Sequence, residues 1–396
     1  MKRIGFVSTW FERGASYVTR QYIDLLKDNN EIFVFARGGE SYAIGDPKWD
    51  WDNVTWGKKK SKEDERIYWH QFKKWIKGNR LDIVFFNEQR ENSIIIKTRL
   101  EFPEIIIGSY MDYYTVETVK EFDVYDFLIC NTKRHYSAFE WHRQCFYLKW
   151  GTDTELYKPI EEKHEELTFF HSAGMTDRKG VKPLVKVFME SDLHKNSKLV
   201  IHTQVPLQRF VNYSSEELKA KNVEVIEGTV SAPGLYYKGD VYAYPTEMDG
   251  LGLTLYEALG SGLPVIGTDI PPINEVIDES VGRLVRVKEQ INRIDNYYWP
   301  TSIVDEESLY EQMRFFVDNK ELLEQFKKNA REKALNEYTW IKRKDELNQI
   351  FDTVVRMDNM PLEQLKKESK EKYKRRIRKN LNRIKMDVRN LFTLDM

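Results

Sequence analysis

At 396 residues the chain is too long for one ordinary hydrophobic core, so two domains of roughly 150–200 residues are expected. With 32% charged residues and a mean hydropathy of −0.62 it reads as a water-soluble globular chain, and no apolar run approaches the roughly 18 residues of a bilayer span. The 62 Lys+Arg nearly cancel the 63 Asp+Glu, which points away from nucleic acid, and Cys130 and Cys145 make neither a disulfide framework nor a zinc cluster. Both cysteines are expected in strands or cores, and a reducing cytoplasm is the simplest compartment.

From the N-terminus, Ile4–Ser8 reads as a strand and not as a secretory apolar region. A loop with Gly14 and a helix over about Ser16–Asp28 follow. Strands are then expected at Ile32–Ala36, Asp82–Asn87, Ile105–Ser109 and Phe127–Cys130. A second alternating series begins after Gly151, with strands at Leu167–His171, Lys198–His202, Val223–Ile226, Val241–Tyr244, Pro264–Gly267 and Arg283–Val287. Helical spacing falls at Val181–Glu190 and Leu253–Leu259, and almost everything from Glu306 onward is helical in pattern. Alternation of strand and helix implies α/β architecture with parallel sheets. The division expected is 1–150, 151–340 and a helical 341–396, with one large doubly wound domain as the rival arrangement.

The stretch from Tyr244 to Asp269 carries the chemistry. A strand ends at Pro245, a loop with Gly250 and Gly252 follows, and a helix opens near Leu253. A helix N-terminus there offers unpaired N–H groups and a positive dipole end to a diphosphate. The two glycines would permit close backbone approach and positive φ, although they would serve equally as plain strand–helix joints. Glu257, one turn further on, suits sugar hydroxyls better than phosphate.

Asp249 and Glu257, eight positions apart and followed by Ala258-Leu259-Gly260-Ser261-Gly262-Leu263-Pro264, resemble the donor-site signature of the retaining glycosyltransferases of family 4. That resemblance implies a GT-B fold, with two Rossmann-like domains facing across a cleft. It also implies ribose binding by Glu257, diphosphate contact at the Gly252-Leu253-Thr254 amides and donor-sugar contact by Asp249. The chain departs from the family in carrying Asp249 where Glu is usual and Leu251 where an aromatic is common. Glu247 has the wrong spacing to replace the missing Glu.

Gly174-Met175-Thr176-Asp177-Arg178-Lys179-Gly180 resembles the family's Gly-Arg, gap, Lys-Gly segment, with a gap one residue shorter. Arg178 and Lys179 are expected to neutralise charge on a departing nucleoside diphosphate. The rival reading is a solvated pair on a turn. Gly151-Thr152-Asp153-Thr154 to Pro159 resembles the interdomain segment, and Asn329 through Trp340 the helices that lead back to the N-terminal domain. On the N-terminal side Gly14 and Asp112 are candidates to line the cleft, but no His stands beside Asp112 as it does in many members.

Six tryptophans of the first domain (Trp10, Trp49, Trp51, Trp56, Trp69 and Trp75) are candidate sugar platforms, or core. Asp50-Trp51-Asp52 imitates a metal-binding Asp-x-Asp but stands alone, and His171 and His202 read as structural, so no metal or other cofactor is expected. The expected activity is retaining, metal-independent transfer from a nucleotide sugar, UDP-linked in preference to GDP-linked, to a glycan, lipid-linked or other hydroxyl. An epimerase or hydrolase on the same donor, or a non-catalytic scaffold, is the alternative. Residues 361–396 hold 12 Lys+Arg against 5 Asp+Glu, a net +7, with Ile377, Leu381, Ile384, Val388 and Leu391 on one helical stripe. Such a helix suits an anionic membrane surface on the cytoplasmic side, packing on the chain's own domains, or a short coiled coil.

Overall fold

The computed structural model describes residues 1–37, 42–59, 66–89, 92–357 and the single position 367. The expected Asp50-Trp51-Asp52 loop lies inside that set; the basic stripe of 361–396 lies outside the described residues.

The first sheet takes β1 (Arg3–Ser8), β2 (Glu31–Ala36), β3 (Val54–Trp56), β4 (Ile83–Asn87), β5 (Ile106–Tyr110), β6 (Phe127–Cys130) and β7 (Cys145–Tyr147). Its crossovers include α1 (Gly14–Leu26), α2 (Trp69–Asn79), α3 (Ser93–Glu101) and α4 (Lys133–Phe139). The second sheet takes β8 (Leu167–Gly174), β9 (Ser197–Thr203), β10 (Val223–Glu227), β11 (Val241–Tyr244), β12 (Val265–Thr268) and β13 (Gly282–Val285), linked in part by α5 (Val181–Glu190), α6 (Ser215–Ala220) and α7 (Leu253–Gly260). A hairpin of β14 (Val287–Ile291) and β15 (Thr301–Val304) follows, then α8 (Glu306–Asp318), α9 (Leu323–Glu337) and α10 (Ile341–Thr353).

The strand orders are β3-β2-β1-β4-β5-β6-β7 and β10-β9-β8-β11-β12-β13, and both sheets are parallel throughout. Runs such as Ile-Val-Phe-Phe in β4 are apolar without alternation, as strands covered on both faces require. Each sheet reverses direction once, at β1/β4 and at β8/β11, and the crevice beyond those strand ends is where open α/β sheets bind ligands. One core cluster runs through both halves, joining Ile4, Phe6 and Tyr22 to Tyr242, Leu259 and Phe351.

The chain crosses between the sheets after Trp150. There Thr152 N donates to Tyr338 O at 2.7 Å, and a Cβ on Gly151 would stand 2.8 Å from that same oxygen. The return crossing is α10, whose Phe351 packs on Phe85 and Phe127 of the first sheet with ring centroids 5.6 and 5.5 Å apart.

Several expectations are corrected. Two separate sheets replace the rival single domain. The three-residue β3 and β7 were not expected, and Gly14 opens α1 instead of lying in the loop before it. The run Arg283–Val287 is not one strand: Arg286 N turns to Ser308 Oγ at 3.0 Å, ending β13 at Val285 and starting the antiparallel β14 at Val287. Trp10, Trp49 and Trp75 are core, and Asp50 uses its carboxylate on Gly45 N and Trp56 Nε1, both at 2.7 Å.

Candidate active site

β11 delivers the chain into the loop 245–252, and Gly252, left-handed at φ 74°, starts α7. Asp249 organises this loop. Its Oδ1 accepts from Gly252 N at 2.8 Å and Leu251 N at 3.2 Å. Its Oδ2 accepts from Lys179 Nζ at 3.1 Å and from the Tyr244 hydroxyl, and Lys179 Nζ also reaches Tyr244 Oη at 2.8 Å. Burial opposes the charge on Asp249, but Lys179, Tyr244, Arg178 and the Gly252 amide outweigh it and hold the carboxyl far below the usual carboxylate range. Both carboxylate oxygens are thus engaged, and the Gly252 amide is occupied by Asp249. The next amides, Leu253 and Thr254, begin the helix and have no intrahelical acceptor.

Gly250 departs from the expectation of a positive φ. Its need is space: a Cβ there would stand 2.7 Å from Asp112 Oδ2 of the opposite domain. Leu251 is buried in the shared core.

Arg178 and Lys179 come from the turn after β8. Gly174 (φ 62°) and Gly180 (φ 83°) bend that turn, and a Cβ on Gly180 would fall 1.9 Å from Pro245 O. Only glycine lets the two loops meet this closely. The backbone locks them further: Glu247 N and Thr246 Oγ1 both donate to Arg178 O, at 2.9 and 3.0 Å.

Two cavities meet at Leu253. One, of about 510 Å³, holds Arg178, Lys179, Asp249, Gly250 and Leu251 on one wall and Gly14 and Asp112 on the other. The second, of about 530 Å³, holds Gly174, Thr254 and Glu257. Glu257 accepts from the Tyr236 hydroxyl at 2.6 Å; burial raises its pKa, against the pull of Tyr236, Tyr157 and Lys179. A larger cavity of about 750 Å³, with Lys158, His164 and Lys327 in its wall, holds none of the expected site residues. His171 Nδ1 bonds Ala243 O at 2.7 Å, and His202, in the wall of the second cavity, bonds Gly228 O through Nε2 at 2.9 Å. Among the described residues no cluster of three or more His, Cys, Asp or Glu is placed to hold a metal, and no helix is long and apolar enough to cross a membrane.

The structure adds residues that were not anticipated. Glu88, at the end of β4 with a positive φ of 51°, hydrogen-bonds the Asp112 carboxyl inside the first cavity. Burial and then Asp112 push its pKa up to about 8, with Arg37 and Arg13 opposing, while burial also raises Asp112. Burial and the neighbouring carboxyl thus favour a proton on this pair. Arg134 and His135, on α4, reach across to the Asp249 loop. From the far hairpin, Tyr297 closes the cavity and donates from its hydroxyl to Asp112 O at 2.6 Å. Only Glu88 carried a sequence signal, a carboxylate directly after an apolar strand.

Two Rossmann-like domains with both switch points on one cleft define a GT-B fold. The fold is shared with sucrose-phosphate synthase from Thermosynechococcus elongatus (TM-score 0.68, 15% identity, 89% of this chain and 98% of that one). It is shared equally with the pneumococcal O-GlcNAc transferase GtfA, solved with UDP and GlcNAc (TM-score 0.66, 12% identity, 89% and 99%). Residues 153–333 match the family described as glycosyl transferases group 1. By sequence it is 31% identical over 128 residues to the GtfA subunit of a UDP-N-acetylglucosamine–peptide N-acetylglucosaminyltransferase of Streptococcus pneumoniae, covering 29% of this chain and 25% of that one. It is 23% identical over 137 residues to an uncharacterised glycosyltransferase of Methanocaldococcus jannaschii, covering 34% and 35%. The chain thus spans about a quarter of the first relative and about a third of the second.

Proposed function

We propose that this protein transfers a sugar from a nucleoside-diphosphate sugar to an acceptor hydroxyl, with retention of anomeric configuration and without a metal ion. The observation that carries this reading is the Lys179–Asp249 ion pair, set at the start of α7 between the two cavities. The nucleoside occupies the Glu257 cavity, where Glu257 takes the ribose hydroxyls. The diphosphate lies on the free amides of Leu253 and Thr254, and the sugar enters the cavity of Asp112 and Gly14.

In the reacting step the bond from the anomeric carbon to the β-phosphate oxygen breaks. The acceptor oxygen bonds to the same face of that carbon, and its proton passes to the departing phosphate oxygen. Lys179 and Arg178 stabilise the charge that builds on the diphosphate. Asp249 acts chiefly by bracing Lys179 and the loop, because both its oxygens are already engaged. The shorter Asp thereby fills a structural need that the family's Glu does not explain.

A UDP-linked donor is favoured, since the pneumococcal relative is a UDP-N-acetylglucosamine–peptide transferase whose structure was solved with UDP and GlcNAc. A peptide hydroxyl joins glycan and lipid-linked hydroxyls as acceptor class for the same reason. No cofactor is required beyond the donor; full turnover in excess chelator is expected, and its abolition would remove the metal-free claim. The basic stripe of 361–396 is proposed to touch anionic membrane. Pelleting with anionic liposomes should fall when the chain ends at Met360, and equal pelleting discards the contact. The reading as a whole is tested by thermal stabilisation with a panel of nucleotide sugars, followed by product analysis with the three acceptor classes. Stabilisation by none of them rejects it.

A further inference from the structure

The Asp249 loop is held from both domains. On its own side Lys179 and Tyr244 take its carboxylate, and from the opposite domain α4 takes its backbone. Arg134 donates through Nη2 to Asp249 O and through Nη1 to Pro271 O at 2.8 Å. His135 Nε2 stands 3.0 Å from Gly250 O. The first amides of α4, Lys133 N and Arg134 N, donate to the Glu275 carboxylate at 2.6 and 2.8 Å, so the helix end itself is capped from the other domain. Arg134 and His135 are 6% and 1% exposed, which places this seam out of water.

The hydrogen-bond directions follow from the partners. A carbonyl only accepts, so His135 carries its proton on Nε2 and Nδ1 accepts from the Tyr114 hydroxyl at 2.7 Å. Tyr114 Oη in turn accepts from Trp299 Nε1 at 2.8 Å, and Trp299 belongs to the β14–β15 connection of the far domain. Burial, then the neighbouring Arg134, hold the ring's pKa down to about 3, so it stays neutral and keeps this tautomer. Arg134 is a buried cation whose hydrogen-bond partners are carbonyls of the far domain, Asp249 O in the donor loop and Pro271 O after β12, and its charge also reaches Asp112.

We infer that Arg134 and His135 are positioning residues that fix the Asp249–Gly250 peptide planes from the acceptor-side domain, so that the donor loop takes its working shape only while the cleft is closed. Two successive carbonyls held from one helix leave the Asp249 side chain and the following turn little freedom. Opening the cleft withdraws both donors at once. Domain closure and readiness of the donor site are then one event, and the sugar is presented only when the acceptor side is in place. The inference rests on the proposed donor site, but its first test does not.

That test is amide hydrogen exchange on the full chain without ligand, in wild type, Arg134→Leu, Arg134→Lys, His135→Leu and His135→Gln. The Leu251 and Gly252 amides, which donate to Asp249 Oδ1, should exchange at least tenfold faster in Arg134→Leu and His135→Leu, while amides of β8 and β11 keep wild-type protection. Arg134→Lys and His135→Gln each keep a donor and should recover part of the protection. With UDP-GlcNAc and an accepted hydroxyl, kcat should fall tenfold or more while the affinity for UDP changes less than threefold. Wild-type exchange at Leu251 and Gly252 in both disruptive variants overturns the inference, whatever the turnover. Equal loss of protection in β8 and β11 also overturns it, because the residues would then be general supports. An inactive wild type would reject the transferase reading and leave the exchange result to decide this one.

Discussion

Replacing Lys179 by Ala removes one cation from a carboxylate that is almost buried; the two side chains are 19% and 12% exposed. Asp249 keeps the Tyr244 hydroxyl and the two loop amides, so the loss should fall at the lower end of the 3–5 kcal/mol seen when buried pairs are broken, about 3 kcal/mol. The largest influence on Asp249 is burial, which favours its neutral form, so its pKa should climb once Lys179 is gone. Turnover should fall at least tenfold, or about 1.4 kcal/mol in the barrier, because the same ammonium is proposed to face the leaving diphosphate. The two effects separate in Lys179→Ala/Asp249→Asn, which removes both charges. Urea unfolding of that double variant should recover much of the lost stability, whereas donor turnover stays low. A double variant that regains turnover would mean Lys179 serves only to neutralise Asp249. A single variant within threefold of wild-type turnover would refute the assignment outright.

Three further outcomes are expected. Glu88 is raised in the folded state from 4.5 to about 8, so the fold binds more protons than the unfolded chain across that window. Its stabilising contribution is complete below about pH 4.5 and is lost as pH rises through about 8, by up to about 1.4 kcal/mol per pH unit. Urea midpoints of wild type and Glu88→Gln from pH 5 to 9 should diverge accordingly, and parallel curves refute the proton on this pair; Asp112, Arg37 and Arg13 face Glu88, with Asp249, Arg178 and Arg134 facing Asp112. Glu257→Ala should weaken UDP binding tenfold or more by calorimetry, about 1.4 kcal/mol, since it removes the ribose acceptor; unchanged affinity would move the nucleoside elsewhere. Gly180→Ala places a methyl 1.9 Å from Pro245 O at φ 83°, so a loss of more than about 2 kcal/mol in urea unfolding is expected, and a neutral result would contradict the loop geometry.

The grouping of the proposed donor-side residues was legible because it is local. Gly252, Leu253, Thr254 and Glu257 lie in one strand–loop–helix unit, and Arg178 and Lys179 follow directly from β8. Long apolar runs such as Phe33–Ala36 and Leu167–His171 likewise named their own strands. What failed to show was whatever depends on a distant partner. β3 and β7 are three residues each and exist only by pairing at a sheet edge with β2 and β6. Tyr244 and Tyr236 are ordinary strand and loop aromatics until folding sets their hydroxyls on Asp249 and Glu257. Arg134 and His135 sit in an unremarked Lys-Arg-His run and gain meaning only from carbonyls 115 residues along the chain. The role of Asp249 changed for the same reason: its length suits a brace to Lys179 and to two amides, a relation invisible in spacing alone.

The central claim is that nucleoside diphosphate binds where the β8 turn and the start of α7 face the cleft. Hydrogen exchange of the full chain with and without saturating UDP tests it most directly. UDP should slow exchange in Gly174–Gly180 and Leu253–Glu257 and leave the walls of the larger outer cavity, around Lys158 to His164 and Lys327, unchanged. Protection confined to that outer cavity, or none in either loop at saturating UDP, would contradict the account.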